Sequence, residues 1–279
     1  DPLEMYAIHC EVPSGVRTLD VSLDFLSPID ITGFTSGAST SPFLAVINWN
    51  QLLLYPSGRS ASAWTYTARL VLPDGWKFGT ALPVARENND GIEFRPVTLE
   101  TLVDSPVIAG RYFRAVSLGE SDGRSHEIDI VADDEPSLQM SPEVEGGLRR
   151  LVTEAGDLFG ARHYNQYHFL LTLSDNVAHF GLEHHESSDD RLGGDALTGP
   201  GARRTIGGLL AHEYVHSWNG KYRRPAGLAT PDYNQPMDTD MLWVYEGLTE
   251  YLGIILPPRS GLWTPEDFRN ELAQSAAAL

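Results

Sequence analysis

The chain has 279 residues, of which 42% are hydrophobic, so it is long enough for two folded domains with their own cores. Its formal net charge of −18 repels nucleic-acid phosphates and anionic membrane surfaces, so neither partner is expected. The single cysteine excludes an intrachain disulfide and a zinc site built from cysteines. No stretch approaches the ~20 consecutive apolar residues needed for membrane insertion.

The first half of the chain predicts β structure. Short segments alternate apolar and polar residues, or form apolar runs, and Pro and Gly separate them. This pattern favours an all-β, sandwich-like N-terminal domain, which we place at residues 1–142. The candidate strands cover residues 18–26, 41–56, 62–76, 110–118 and 126–133.

The second part of the chain, residues 143–279, predicts mostly helices. Ser141 is suited to cap a first helix that begins with Pro142, and Thr264 is suited to cap the last one. A strand is expected at 167–175, and the polar run Glu186–Asp190 is expected to be a solvated loop. Two further helices are predicted near 202–218 and at 239–256.

One of these helices contains the sequence HEYVH. His212 and His216 are four residues apart, so both side chains project from one face and are close enough to bind one metal ion. Glu213 lies beside the first histidine and can direct a carboxylate at a metal-bound water. The pattern fits the HExxH motif of zinc hydrolases, although an ordinary helix can carry the same residues by coincidence.

The following predicted helix supplies a candidate third ligand. Glu246 follows the aromatic residues Trp243 and Tyr245, which indicate a mostly buried face where an unpaired carboxylate is costly. Glu250 lies one turn later and could accept a hydrogen bond from the second ring nitrogen of a ligand histidine. A solvated helix carboxylate is the alternative interpretation of Glu250.

Two segments, HEYVHSWNGKYRRP and LWVYEGLTEYLG, together resemble the glycyl aminopeptidase family. This is a family of gluzincin zinc metallopeptidases that often carry a PDZ domain. The upstream segments NQLLLYPSG and LPDGWKFGTAL resemble the N-terminal β domain of the same family. The resemblance therefore extends over nearly the whole chain.

The resemblance implies a multidomain α+β protein with a thermolysin-like, mostly helical catalytic domain and one zinc ion per chain. It implies that His212, His216 and Glu246 are the zinc ligands and that Glu213 is the general base. It also implies peptide substrates with a small first residue such as Gly or Ala. Related enzymes stabilise the oxyanion with a Tyr or His well downstream of the third ligand, so we expect that residue outside this chain. We accordingly expect a fragment of a longer protein.

A second motif surrounds Glu183. An aminopeptidase must recognise a free α-ammonium group, and a carboxylate near the metal does this by charge-assisted hydrogen bonding. Gly181 would let a substrate backbone approach closely. The stretch Gly181-Leu182-Glu183-His184 resembles the GGLEH substrate-binding element of the family, although Phe180 replaces its usual first glycine.

Two alternatives to an aminopeptidase stay open. One is a zinc endopeptidase on the same scaffold, and the other is a non-catalytic peptide-binding module with a structural zinc. The sequence is compatible with a periplasmic or secreted location after removal of a leader and also with a cytoplasmic one. It leaves the oligomeric state open.

Overall fold

A computed structural model describes residues 7–277 of the chain. A β-rich N-terminal part precedes a helical C-terminal part, as the sequence predicts, and a central sheet that the sequence does not predict lies between them. The strands are β1 (Leu44–Ile47), β2 (Thr65–Tyr66), β3 (Arg69–Leu70), β4 (Lys77–Gly79), β5 (Val84–Asn88), β6 (Gly91–Phe94), β7 (Val97–Thr98), β8 (Val107–Gly110), β9 (Tyr112–Ser121), β10 (Arg124–Ala132), β11 (Gln166–Leu173), β12 (Phe180–Glu183) and β13 (Ser187–Leu192). The helices are α1 (Leu99–Val103), α2 (Pro142–Phe159), α3 (Ala202–His216), α4 (Leu248–Ser260) and α5 (Pro265–Ala277).

The N-terminal part contains three small antiparallel sheets with the strand orders β1-β8-β4, β3-β6-β5 and β2-β7. Trp49, Phe94 and Val107 lie in its hydrophobic core. Helix α1 follows β7 directly, and the side chain of Thr98 caps it by accepting a hydrogen bond from the Thr101 backbone N–H.

The central sheet has five strands in the order β12-β13-β11-β10-β9. β10, β11 and β13 are parallel, and β9 and β12 run antiparallel at the two edges. Helix α2 connects β10 to β11, as a parallel pair requires a long crossover. β9 and β10 lie before residue 142 but belong to the same sheet as the strands after it, with β10 paired directly to β11, so the division into 1–142 and 143–279 stays a prediction.

Helices α2 and α3 pack against one face of this sheet, and α4 packs against both helices, so that the main core is enclosed there. Two glycines make room for Leu262, which follows α4: a Cβ on Gly147 or Gly207 would lie within 3 Å of the Leu262 side chain. The predicted caps are confirmed. Ser141 accepts a hydrogen bond from Val144 N, and Thr264 accepts one from Asp267 N. The opposite face of the sheet packs against β1 and β8.

The strand predicted at 18–26 is wrong. These residues form an irregular, exposed segment, with Leu26 88% exposed, and they pair with no other strand among the described residues. Alternation alone does not make a strand, because the backbone N–H and C=O groups need a neighbouring strand to bond with.

The solvated loop predicted at Glu186–Asp190 is also wrong. Ser187 to Arg191 are fully buried in β13, between β11 and β12. Arg191 and Asp189 satisfy each other, since the guanidinium donates to both carboxylate oxygens of Asp189. Asp190 accepts a hydrogen bond from Ser188 Oγ at 2.6 Å, and burial raises the pKa of Asp190 to about 8. Such pairing is what allows charged residues to occupy a protein interior.

The helix predicted at 239–256 is divided. Residues Trp243–Gly247 form a π-helical turn, and α4 begins at Leu248. Tyr245 is buried, whereas Trp243 is 70% exposed, so the expectation that both aromatics mark a buried face holds only for Tyr245. Within residues 7–277, no helix combines the length and apolar character that a membrane span requires.

Candidate metal centre and surrounding site

Helix α3 carries His212, Glu213 and His216 and packs beside β12 and β13 of the central sheet. The helical spacing places the two imidazole rings 4.9 Å apart, centroid to centroid. His216 is fully buried and His212 is partly accessible. Burial lowers the pKa of His216 below its usual value.

Glu246 reaches the two histidines from the π-helical turn. Its Oε2 lies 3.3 Å from Nε2 of His216 and 3.7 Å from Nε2 of His212. The ligand atoms of these three residues all lie within 4.8 Å of one another. The Glu246 side chain is 50% exposed, contrary to the burial expected from its neighbours, so the cluster opens to solvent.

The second ring nitrogens of both histidines are occupied. Nδ1 of His212 lies 3.1 Å from Oε2 of Glu250, and Nδ1 of His216 lies 3.1 Å from the carbonyl oxygen of Asn219. Both acceptors favour a proton on Nδ1, which leaves both Nε2 lone pairs directed at Glu246. Imidazole rings oriented this way and a converging carboxylate fit a divalent metal ion.

Glu213 lies behind this cluster and is 5% exposed. Burial raises its pKa well above the usual carboxyl value, and the neighbouring carboxyl groups of Asp190, Glu183 and Glu246 raise it further. Gly181 on β12 packs directly on this carboxylate, since a Cβ there would lie 2.0 Å from Glu213 Oε1. The approach of a substrate backbone to Gly181 stays a prediction.

Glu183 lies two residues further along β12, on the same face of the sheet as Gly181. One of its ligand atoms lies within 4.8 Å of those of Glu213 and His216. Burial acts to raise the pKa of Glu183, but the charges of His216 and Lys221 and a hydrogen bond from Tyr245 outweigh it and lower the pKa below its usual value. Glu183 thus carries a negative charge beside the candidate metal ligands.

His184 points away from this cluster. It is buried, and its Nδ1 lies 3.1 Å from Oδ1 of Asp104, at the end of α1. Asp104 also binds the Lys221 ammonium at 2.5 Å and accepts the backbone N–H of His185. The network joins the N-terminal part, β12 and the loop after α3.

A cavity of about 600 Å³ adjoins Glu183. Its wall combines residues of the N-terminal part, of β12 and of the loop that follows α3, including Leu182, Glu183 and His184. The four residues of the second predicted motif therefore divide between two environments. Gly181 contacts Glu213, and the other three line this cavity.

The sequence did not indicate two features of the site. Tyr245 donates a hydrogen bond from its hydroxyl to Glu183 Oε1, and the only signal for it was its position beside Glu246. Glu127, Asp129 and His168 also bring ligand atoms within 4.8 Å of one another, on the sheet face opposite α3. They come from two separate strands, so spacing along the chain does not reveal the cluster.

Comparisons with known proteins agree with this architecture. The model of the M61 glycyl aminopeptidase family matches residues 205–279, and the model of the peptidase M61 N-terminal domain matches residues 3–111. No curated protein sequence matches the chain significantly.

Among solved structures, the chain resembles an aminopeptidase N family protein from Idiomarina loihiensis, with a TM-score of 0.67 and 22% sequence identity. The similarity covers 81% of this chain and 39% of that protein, so the chain spans well under half of its structural relative. This likeness concerns the fold. The two family models match the residues before the central sheet and those that carry HEYVH and Glu246, and the chain belongs to the M61 glycyl aminopeptidase family.

Proposed function

We propose that this chain carries the catalytic centre of a zinc-dependent aminopeptidase, which hydrolyses the N-terminal peptide bond of peptides. The observation that carries the proposal is the convergence of both histidine Nε2 atoms on Glu246, with two further carboxylates, Glu213 and Glu183, beside them. Each group has a distinct task in that reaction.

His212, His216 and Glu246 would hold the zinc ion. Two imidazoles and one carboxylate are a ligand set of catalytic zinc, which keeps a further position for water or substrate. When bound, zinc polarises a carbonyl group and lowers the pKa of water. The half-exposed Glu246 supports an open catalytic centre over the closed coordination of a structural zinc.

Glu213 would act as the general base. It accepts the proton of the attacking water and passes it to the leaving amine. Burial and nearby carboxylates raise its affinity for protons, which suits a group that must accept one. Gly181 supports this role by packing against the carboxylate.

Glu183 would bind the α-ammonium group of the substrate. A charged carboxylate this close to the metal ligands places the first peptide bond, and no later one, at the reacting centre. A thermolysin-like gluzincin fold and a preference for Gly or Ala as the first residue accompany the proposal as predictions of the family resemblance.

The decisive experiment combines metal analysis with one conservative variant. We expect one zinc per chain, and loss of aminopeptidase activity on chelation. Glu213→Gln should retain the metal while kcat/KM for alanine p-nitroanilide falls by at least ~10²-fold, the usual contribution of general-base catalysis. Purified protein without zinc, or a fully active Glu213→Gln variant, would refute the proposal.

A second variant separates the aminopeptidase from an endopeptidase on the same scaffold. Glu183→Ala should strongly reduce the cleavage of peptides with a free N-terminus and leave cleavage of N-acetylated peptides nearly unchanged. An equal effect on both substrate classes would favour the endopeptidase.

A further inference from the structure

Tyr245 occupies an unusual position in the site. It lies in the π-helical turn Trp243–Gly247, immediately before Glu246, and is only 8% exposed. π-Helical turns are rare and occur frequently at functional sites. This turn directs two neighbouring side chains into the centre: the Glu246 carboxylate toward the histidines and the Tyr245 hydroxyl toward Glu183.

The ring of Tyr245 is held on two sides. It packs against the imidazole of His216, with ring centroids 4.9 Å apart and an interplanar angle of 39°. On another side it contacts Gly220, whose φ of +138° suits glycine and where a Cβ would lie 2.8 Å from the Tyr245 ring. The chain therefore leaves the ring little freedom to move.

The backbone of Tyr245 is also anchored to the segment after α3. Its carbonyl oxygen accepts hydrogen bonds from Thr249 Oγ1 at 2.7 Å and from Asn219 Nδ2 at 3.2 Å. The carbonyl of Asn219 in turn binds His216 Nδ1. One network thus joins the π-helical turn to a candidate metal ligand.

The opposite partner, Glu183, lies on β12 at the edge of the central sheet. Its Oε1 accepts a hydrogen bond from the Tyr245 hydroxyl, and this bond does not involve the second carboxylate oxygen. Without the hydroxyl, the flexible glutamate side chain would have to be ordered by the substrate at an entropic cost.

We infer that Tyr245 is a positioning residue that holds Glu183 in the orientation needed to bind the α-ammonium group of the substrate. It thereby couples the amine-binding strand to the turn that supplies the Glu246 ligand. The inference rests on the proposed function for the role of Glu183, whereas the Tyr245–Glu183 contact can be tested without activity.

The test is Tyr245→Phe, which keeps the ring and removes only the hydroxyl. We expect KM for alanine p-nitroanilide to rise about tenfold, as for a lost hydrogen bond to a charged group, while kcat changes less than ~3-fold and zinc content stays the same. The matched control is Tyr251→Phe, on α4, where the side chain is 56% exposed; its kinetics should equal those of the wild type. An unchanged KM in Tyr245→Phe would overturn the inference.

A double-mutant cycle shows whether Tyr245 acts through Glu183. The double variant Tyr245→Phe/Glu183→Ala should be no less active than Glu183→Ala alone, because the second change removes the group that the hydroxyl holds. If the loss of activity in the double variant equals the product of the losses in the two single variants, the inference is contradicted.

Urea unfolding without substrate, applied to the wild type, Tyr245→Phe, Glu183→Ala and the double variant, tests the Tyr245–Glu183 contact separately from the proposed function. Non-additive free energies of unfolding support the contact whatever the activity, and additive ones overturn the inference even in an active enzyme. A full-length wild-type protein that hydrolyses no peptide with a free N-terminus refutes the proposed function instead.

Discussion

The contact between Gly181 and Glu213 is the most demanding one in the site. Any residue larger than glycine would bring its Cβ to 2.0 Å from Oε1 and 2.5 Å from Cδ of the Glu213 carboxylate. Glu213 is buried and cannot turn away into solvent. The absence of a side chain at Gly181 therefore lets β12 pack directly against the buried carboxylate of Glu213 on α3.

We predict that Gly181→Ala displaces the carboxylate of Glu213 and lowers kcat by ~10–100-fold, since misplacement of a catalytic group by about 1 Å has effects of this size. Metal content should not change, because the three atoms nearest the added Cβ all belong to Glu213 and none to the candidate ligands. Steady-state kinetics with alanine p-nitroanilide and metal analysis test the prediction. The control is Gly194→Ala, where the nearest atom lies 3.7 Å from the added Cβ. Wild-type kcat in Gly181→Ala would show that the strand and helix move apart without cost.

Strand β13 shows how an element can bury charge in a sheet. Asp189 and Arg191 are two residues apart, so they project from the same face, and the guanidinium binds the carboxylate at 2.6 and 3.0 Å. The guanidinium also lies 4.4 Å from the centroid of the Phe180 ring on the neighbouring strand. Because both partners are buried, each depends on the other.

Arg191→Met is predicted to reduce the free energy of unfolding by ~3–5 kcal/mol, because it leaves the carboxylate of Asp189 buried without its partner. The comparison is Arg86→Met, which breaks the exposed pair with Glu93 and should change stability little. Urea unfolding followed by tryptophan fluorescence measures both. A small effect of Arg191→Met would mean that water or another donor replaces the guanidinium.

At the scale of the whole molecule, a buried histidine makes the fold sensitive to mild acid. His126 on β10 lies beneath α3, where its Nε2 is 2.8 Å from the hydroxyl of Tyr164. Burial, with the charge of Arg162 as a smaller cause, lowers the pKa of His126 to about 4. Burial likewise lowers the pKa of His163 to about 4. The folded protein therefore holds both rings neutral.

Below pH ~6.5 the unfolded chain binds a proton at each histidine, while the folded chain does not until the pH approaches 4. The two histidines therefore act to decrease the free energy of unfolding as the pH falls from ~6.5 to ~4, whereas the carboxyl groups of Asp190 and Glu213, whose pKa values burial raises, act in the opposite direction. Urea unfolding near pH ~7 and pH ~5, in the wild type and in His126→Gln, isolates the contribution of His126. Relative to its own value near pH ~7, the free energy of unfolding near pH ~5 should be higher in His126→Gln than in the wild type. An equal pH dependence of the two proteins would show that His126 does not contribute.

Local rules predicted much of the helical part. Ser141 and Thr264 start helices because a side-chain oxygen satisfies an N–H within three residues, and the HEYVH spacing places two imidazoles on one face by helix geometry alone. The strand predictions at 110–118 and 126–133 were also correct in kind, since β9 and β10 cover them. Each of these features depends on residues less than about three helical turns apart.

Features that depend on distant partners were not predictable from pattern. Residues 18–26 alternate apolar and polar side chains like a strand, yet none of the described strands pairs with them. The polar run of β13 is buried because β11 pairs with it and Arg191 neutralises the charge of Asp189. The sequence by itself determined the HExxH helix and its candidate ligands, because helical periodicity is local. Only the tertiary structure decided that Glu246 reaches them from a π-helical turn, that Gly181 packs on Glu213 and that Tyr245 holds Glu183, because these contacts join residues 30 or more positions apart.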